Sequence, residues 1–404
     1  MKNLKIFVCI LALFPCLSLY SQNFGLLLDQ SAGTTISIGG GTEEPGDINY
    51  SGAVIPRFSS PVGENGNLFI SASARAELAN GIFVIIPELL RSDFSYSFGN
   101  GEFKFGRMGY QDPLGFIASG LFDGVNVSID VGGGSVGVGV WYTGLLYKER
   151  ANITMTKKDM DTYYIPFEFS NFQETYFASR RVVSAVEYEH QGLFEKAQLK
   201  VALIGQFDLS GEGKYNLNSQ YAAGKLSYPV DSFIFDAGAV IEMVEYAGKN
   251  SLAMAGTLGA SYMFSSSRLS LSGIYSSGVA DNGSFTAFTP LTTVYQGNVL
   301  DAKLSGLSIV SIDYLGRFRK TFSAGFSASS FIRTDLGTYV YPSPSEEKNG
   351  YIVGTEFFGR LWWNPVSDIQ LNFGGGAFLP SLGNMDPKAA TIIRVELNLV
   401  LTLY

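Results

Sequence analysis

The chain has 404 residues, 46% of them hydrophobic and only 16% charged, with 47 Gly, 31 Phe and 22 Tyr. Acidic residues outnumber basic ones 36 to 28, which argues against nucleic acid as a partner. A single histidine, His190, and two cysteines, Cys9 and Cys16, leave no imidazole- or thiolate-rich metal site, and no cofactor is expected.

Met1-Lys2-Asn3-Leu4-Lys5 sets two positive charges before an apolar run from Ile6 to Leu17, the layout of a signal peptide. The run is shorter than the roughly 20 residues a membrane helix needs, so residues 1–21 read as a leader cleaved after Ser18 or Ser21. Leu13-Phe14-Pro15 lacks the small residue that lipidation at Cys16 would require, and both cysteines then fall in the discarded segment. Residues 22–404 contain no linker, composition break or sustained helical pattern, which predicts one continuous domain.

Period-2 alternation runs along that domain. Phe94, Tyr96 and Phe98 alternate with Ser95 and Ser97, and Val125, Val127, Ile129 and Val131 with Asn126, Ser128 and Asp130. Val136, Val138 and Val140 continue the pattern against Gly137 and Gly139, as do the stretches at 322–328 and 369–373. The expectation is that the valines and Ile129 face lipid while Asn126, Ser128 and Asp130 face a lumen. Short punctuation falls at 99–101, 132–134, 191–192, 229–231, 265–267, 319–320 and 364–365. Longer stretches near 109–120, 149–178, 209–218, 278–305, 336–350 and 379–389 lie between. Short and long alternate, which predicts an all-β transmembrane antiparallel β-barrel of about 18 strands, with 16 the nearest rival. Short turns would be periplasmic and long loops extracellular. Two connections sit awkwardly: 58–66 is long for a turn, and Asn80-Gly81 is short for an outer loop.

The mature chain resembles the porin-type outer-membrane barrels of diderm bacteria over essentially its whole length. Its last strand, Ile393 to Tyr404, is similar to the terminal signal read by the barrel-assembly machinery, with Leu399, Leu401, Leu403 and Tyr404 as the signal residues. Tyr404 falls on the opposite parity from the leucines, a departure from the usual pattern. Phe105-Gly106-Arg107, a loop with Gln111-Asp112-Pro113, then Leu121-Phe122-Asp123-Gly124-Val125 resembles a strand–loop–strand of substrate-specific porins and alginate-exporter-like barrels. The resemblance implies an outer-membrane channel for small hydrophilic solutes, with outer-membrane lipid and the assembly machinery as partners and a homo-oligomer left open.

Charged candidates for a pore constriction are Arg107, Asp112 and Asp123, with Arg107 and Asp123 read as a lumenal pair or, equally, a structural brace. The segment 149–178 is the best candidate for an inward loop, since so many aromatics suit burial better than water. Its charges and those at its ends complete the candidate set: Lys148, Arg150, Lys157, Lys158, Asp159, Asp161, Glu168, Glu174, Arg180 and Arg181. An ordinary surface loop is the rival reading. Trp141-Tyr142 and Trp362-Trp363 read as an aromatic girdle, with a lumenal stacking role kept as the alternative for Trp141. Enzymatic chemistry is not expected: His190 reads as part of a periplasmic turn, away from any surface active site, and the glycine runs lack a phosphate-loop lysine. An adhesin or structural barrel with ligand-binding loops, and a hydrophobic-substrate transporter, are the alternatives to a porin.

Overall fold

The computed structural model describes residues 23–39, 46, 48–79, 81–210, 213–280, 285–339, 341–343, 345 and 349–403. The expected leader, Tyr404 and Asn80 lie outside these residues. Eighteen strands follow one another: β1 (Asn23–Ile38), β2 (Ile48–Val62), β3 (Gly66–Ala79), β4 (Ile82–Phe98), β5 (Gly101–Gln111), β6 (Ser119–Val131), β7 (Gly134–Tyr142), β8 (Arg181–Leu193) and β9 (Ala197–Asp208) form the first half. The second half comprises β10 (Asn218–Val230), β11 (Phe233–Tyr246), β12 (Lys249–Met263), β13 (Ser267–Ser276), β14 (Leu307–Arg319), β15 (Phe322–Arg333), β16 (Ile352–Val366), β17 (Ile369–Leu379) and β18 (Thr391–Leu403).

Each strand pairs antiparallel with its sequence neighbours, and β1 pairs with β18 from Leu26↔Leu403 to Ile38↔Thr391. The sheet is a closed barrel, so no edge runs its full height. One end carries turns of two or three residues; the other carries the connections 112–118, 143–180, 277–306 and 334–351. The turn at Gly132-Gly133 needs positive φ at both residues (50° and 89°), which glycine takes without steric cost.

The two faces follow from the alternation. Val125, Ile129, Val131, Val138 and Val140 stand exposed on the outside, while Asn126 and Ser128 line a cavity inside. On β18, Val395, Leu397 and Leu403 are exposed outward and Ile392 is buried.

Two of the expected turns fall inside strands. Gln191-Gly192 lies inside β8, which bulges between Gln191 and Leu193 and turns only at 194–196. Asn364-Pro365 lies inside β16, whose register slips between Trp363 and Val366 before the turn at Ser367-Asp368. A bulge adds a residue without ending a strand, so turn-forming residues there mark bends in the wall. His190 is therefore a strand residue paired with Gly134 and Leu199. The 58–66 connection shrinks because β2 continues to Val62.

The hydrophobic core sits inside the barrel at the loop end. Phe116, Ile117, Phe122, Trp141, Leu146, Ile153, Val183, Ile204, Tyr221, Phe288, Leu291 and Leu304 pack there, drawn from the wall and from three inward connections. Trp141 corrects the girdle expectation. It is only 2% exposed, its ring 4.4 Å from that of Tyr110, because its parity is that of Gly137 and Gly139 and not of the outward valines. Trp363 is exposed on the outside as a girdle residue would be, whereas the Trp362 ring crosses the inner face beside Gly325.

Candidate functional site

The 143–180 connection contains three short helices, α1 (Lys148–Ala151), α2 (Lys157–Tyr163) and α3 (Phe172–Thr175). Thr156 and Asp159 start α2 with a capping box, each side chain accepting from the other's backbone N–H. Asp159 does a second job: its carboxylate meets Arg181 at 2.5 Å, and Asp208 of β9 pairs with the same guanidinium. Arg181 is fully buried between the two carboxylates, so removing its guanidinium would leave both acids without compensation. Lys148 donates to the carbonyls of Thr162 and Ile165, folding the loop on itself, and burial pushes its ammonium pKa down. Tyr147, Phe167 and Tyr176 pack on Ile86 at the inner face of β4.

The 277–306 connection is held by carboxylates of the opposite parity to the outward apolar face. Glu356 of β16 accepts the N–H groups of Asn298 (2.6 Å), Val299 (2.8 Å) and Leu300 (2.9 Å), and Glu242 of β11 accepts that of Thr289 at 2.8 Å. Asp301 pairs with Arg394 at 2.5 Å. The two long connections then meet: Asn152 donates to the Thr293 carbonyl (2.6 Å), Thr293 N–H to Asn152 (2.9 Å), and Lys303 to Thr154. The 112–118 connection joins them, as Thr292 N–H donates to the Ile117 carbonyl at 3.2 Å and Ser119 N–H, at the start of β6, to Thr292 Oγ1 at 2.8 Å. Asp112 shapes that connection by accepting four backbone N–H groups, from Leu114, Gly115, Ile117 and Ala118. Burial raises its pKa against the pull of those donors.

Space remains on two sides of this plug. A cavity of about 470 Å³ lies toward the turn end, lined by Asn126, Ser128, Glu187, Glu189, Lys200 and Lys225. Another of about 800 Å³ runs along β1 to β4 and carries Arg57, Arg75, Arg91 and Arg150. Glu88 pairs with Arg150 (3.0 Å) and Arg75 (3.7 Å), and Asp93 with Arg91. Both carboxylates are 2% exposed, whereas Arg91 is 45% and Arg150 35% exposed. Glu88 and Asp93 lie beneath the arginines, Glu77 pairs with Arg75 at similar exposure, and Asp29 also lines the cavity; four lining arginines against one lining carboxylate leave the surface on offer cationic. Among the described residues Arg57 has no ion-pair partner and adds a further positive charge.

The sequence candidates separate into groups. Arg150, Asp159, Arg181, Lys148 and Asp112 are inside and structured. Lys157, Lys158, Asp161, Glu168, Glu174 and Arg180 are exposed on the loop and away from this cavity's lining. Arg107 and Asp123 do pair, bidentate at 2.8 Å, but the lumenal placement is corrected: they share the parity of Phe105 and Val125. Met108 and Phe122, one residue on, take the inner face. Arg57, Arg75, Glu88, Arg91, Glu242, Glu356 and Lys303 were missed. Charges recurring at every second or third position before Phe94 (Glu88, Arg91, Asp93) were the available signal.

No protein-family model and no curated protein matches this sequence. Solved structures do match. Pseudomonas aeruginosa OccK2 (OpdF) in complex with glucuronate superposes with a TM-score of 0.62 at 11% identity, covering 95% of this chain and 99% of that one. Pseudomonas aeruginosa OpdK with vanillate gives 0.62 at 10% identity, covering 94% and 98%. Acinetobacter baumannii OccAB4 gives 0.58 at 9%, again covering 94% and 98%. The likeness is one of fold, and it spans the whole barrel.

Proposed function

We propose that this chain is an outer-membrane porin that lets small hydrophilic solutes diffuse through its lumen, without covalent chemistry, and that favours small anions bearing a carboxylate. The cationic cavity along β1 to β4 carries the proposal. Buried Glu88 and Asp93 hold the arginines in place, and the guanidinium groups present paired donors suited to a carboxylate. Support comes from the fold shared with barrels crystallised with glucuronate and vanillate, both carboxylates. In this reading the 143–180 and 277–306 connections narrow the extracellular mouth. Outer-membrane lipid surrounds the apolar belt, and the assembly machinery reads the terminal strand.

Single-channel recording of purified protein in planar bilayers tests it. Discrete, anion-selective steps are expected, and Arg57→Glu with Arg91→Gln should move the reversal potential toward cation preference. A folded barrel that passes no current would favour the adhesin reading.

A further inference from the structure

The wall is not sealed everywhere. Between β4 and β5 the ladder runs only from Phe98↔Gly101 to Ser92↔Arg107. Above that level, no strand among the described residues pairs with Ile82–Arg91 on the side away from β3. Gly106 marks the parting. With φ at +118°, it turns β5 away at the point where a Cβ would lie 2.1 Å from the Ser92 carbonyl oxygen.

Side chains replace the missing rungs. Arg107 donates to the Leu89 carbonyl at 2.7 Å and to the Leu145 carbonyl at 3.0 Å, and Tyr176 donates to the Pro87 carbonyl at 2.9 Å. Pro87 itself has no N–H to leave unpaired, which suits a free edge. Behind the seam lie the rings of Tyr147, Phe167, Phe172 and Tyr176 from the β7–β8 connection.

The height of the parting matters. Seven rungs at roughly 3.3 Å per residue and a tilt of about 40° raise the wall about 18 Å, short of an apolar belt about 25 Å tall. The seam therefore opens within the outer part of the belt. On the inside, the 800 Å³ arginine cavity reaches it, lined by Leu90 and Arg91 of β4 and by Gly120 and Leu121 of β6, with no β5 residue between them. A charged cradle thus adjoins the buried aromatic filling that backs the seam.

We propose that the β4–β5 seam is a lateral port, stoppered by the aromatic rings of the β7–β8 connection, through which single-tailed anionic amphiphiles pass between the outer leaflet and the lumen. The headgroup would sit at Arg75 and Arg150 and the tail among Phe172, Tyr176 and their neighbours. This rests on the channel reading and extends it from soluble anions to lipid-dissolved ones.

The test uses proteoliposomes and a fluorescent alkyl sulfonate, whose permanent charge keeps it from crossing lipid unaided. Leu89→Cys with Leu145→Cys, both half-exposed and joined through one guanidinium, can be stapled with a bismaleimide. Stapling should slow sulfonate transfer about tenfold while leaving ion conductance unchanged. Equal transfer with and without the staple, or transfer no faster than in protein-free vesicles while conductance is normal, overturns the port and leaves the channel standing. Absence of conductance strikes the channel reading instead. Photolabelling of the unaltered chain with a diazirine alkyl sulfonate then decides the port: labels on 82–91 and 172–177 support it, and labels confined to the outer belt elsewhere refute it.

Discussion

Along β6, four consecutive outward side chains and the polar residues between them are enough to say which face meets lipid; in the 277–306 connection, no residue's neighbour predicts where it goes. The wall is held by a repeated backbone ladder and a period of two, so each residue's environment follows from its parity. The inward connections are held by a few buried carboxylates and by buried arginines of the wall: Arg181, Arg107, which donates to the Leu145 carbonyl, and Arg333, which donates to the Tyr339, Gly350 and Pro342 carbonyls. Stability in the wall is distributed, whereas docking of the loops is concentrated in Arg181, Glu242 and Glu356. The contrast implies that single changes should release a loop without dissolving the barrel, and that only belt changes should attack the barrel itself.

Arg181→Ala should have the largest effect, since it strands Asp159 and Asp208 together in a buried site; breaking such a pair costs about 3–5 kcal/mol. Protease should then nick 157–172 while the barrel keeps its heat-modifiable mobility on gels. Loss of the folded band would show that wall and loop are one cooperative unit. Val127→Arg probes the other side of the contrast. An arginine on the lipid face costs about 2–4 kcal/mol near the midplane, read as a lower urea midpoint, whereas Ser128→Arg should fold normally and reduce conductance. Equal behaviour of the two would break the face assignment.

Glu356→Ala removes the acceptor of three loop N–H groups, and a buried donor left unpaired costs about 1–3 kcal/mol. Release of 277–306 should raise conductance. Unchanged conductance would mean that Asp301 and Glu242 suffice to hold it. The smallest effect concerns Lys303, whose pKa is pushed down by burial, with Asp159 opposing. The docked loop binds fewer protons than the undocked one, so docking should tighten as pH rises from the lowered value toward the ordinary lysine value of about 10.4. Conductance should fall over that range and stay flat in Lys303→Met.

Much of the barrel was legible because it is local. Alternation at 125–131 and 136–140, and glycines at 132–134, each act over a few residues, and strand number follows from counting such units. The slipped turns at Gln191-Gly192 and Asn364-Pro365 failed because the same residue types serve bulges, and only the partner strand decides between the two. Arg150, Asp159 and Arg181 could be placed near a loop from composition, but not joined to Glu88 or Asp208, which lie far away in sequence. Arg107 and Asp123 could be paired but not put on a face, since that required the register of β5 against both neighbours.

The amino-acid sequence by itself determined the wall: its period, its two faces and its closing strand, because backbone pairing with a period of two leaves each residue little choice. Tertiary structure alone decided what fills the lumen and where the wall parts. Loops have no period to read, and a parting such as that between β4 and β5 exists only relative to a neighbouring strand. Buried ion pairs gather residues whose separation along the chain carries no information about their distance in space.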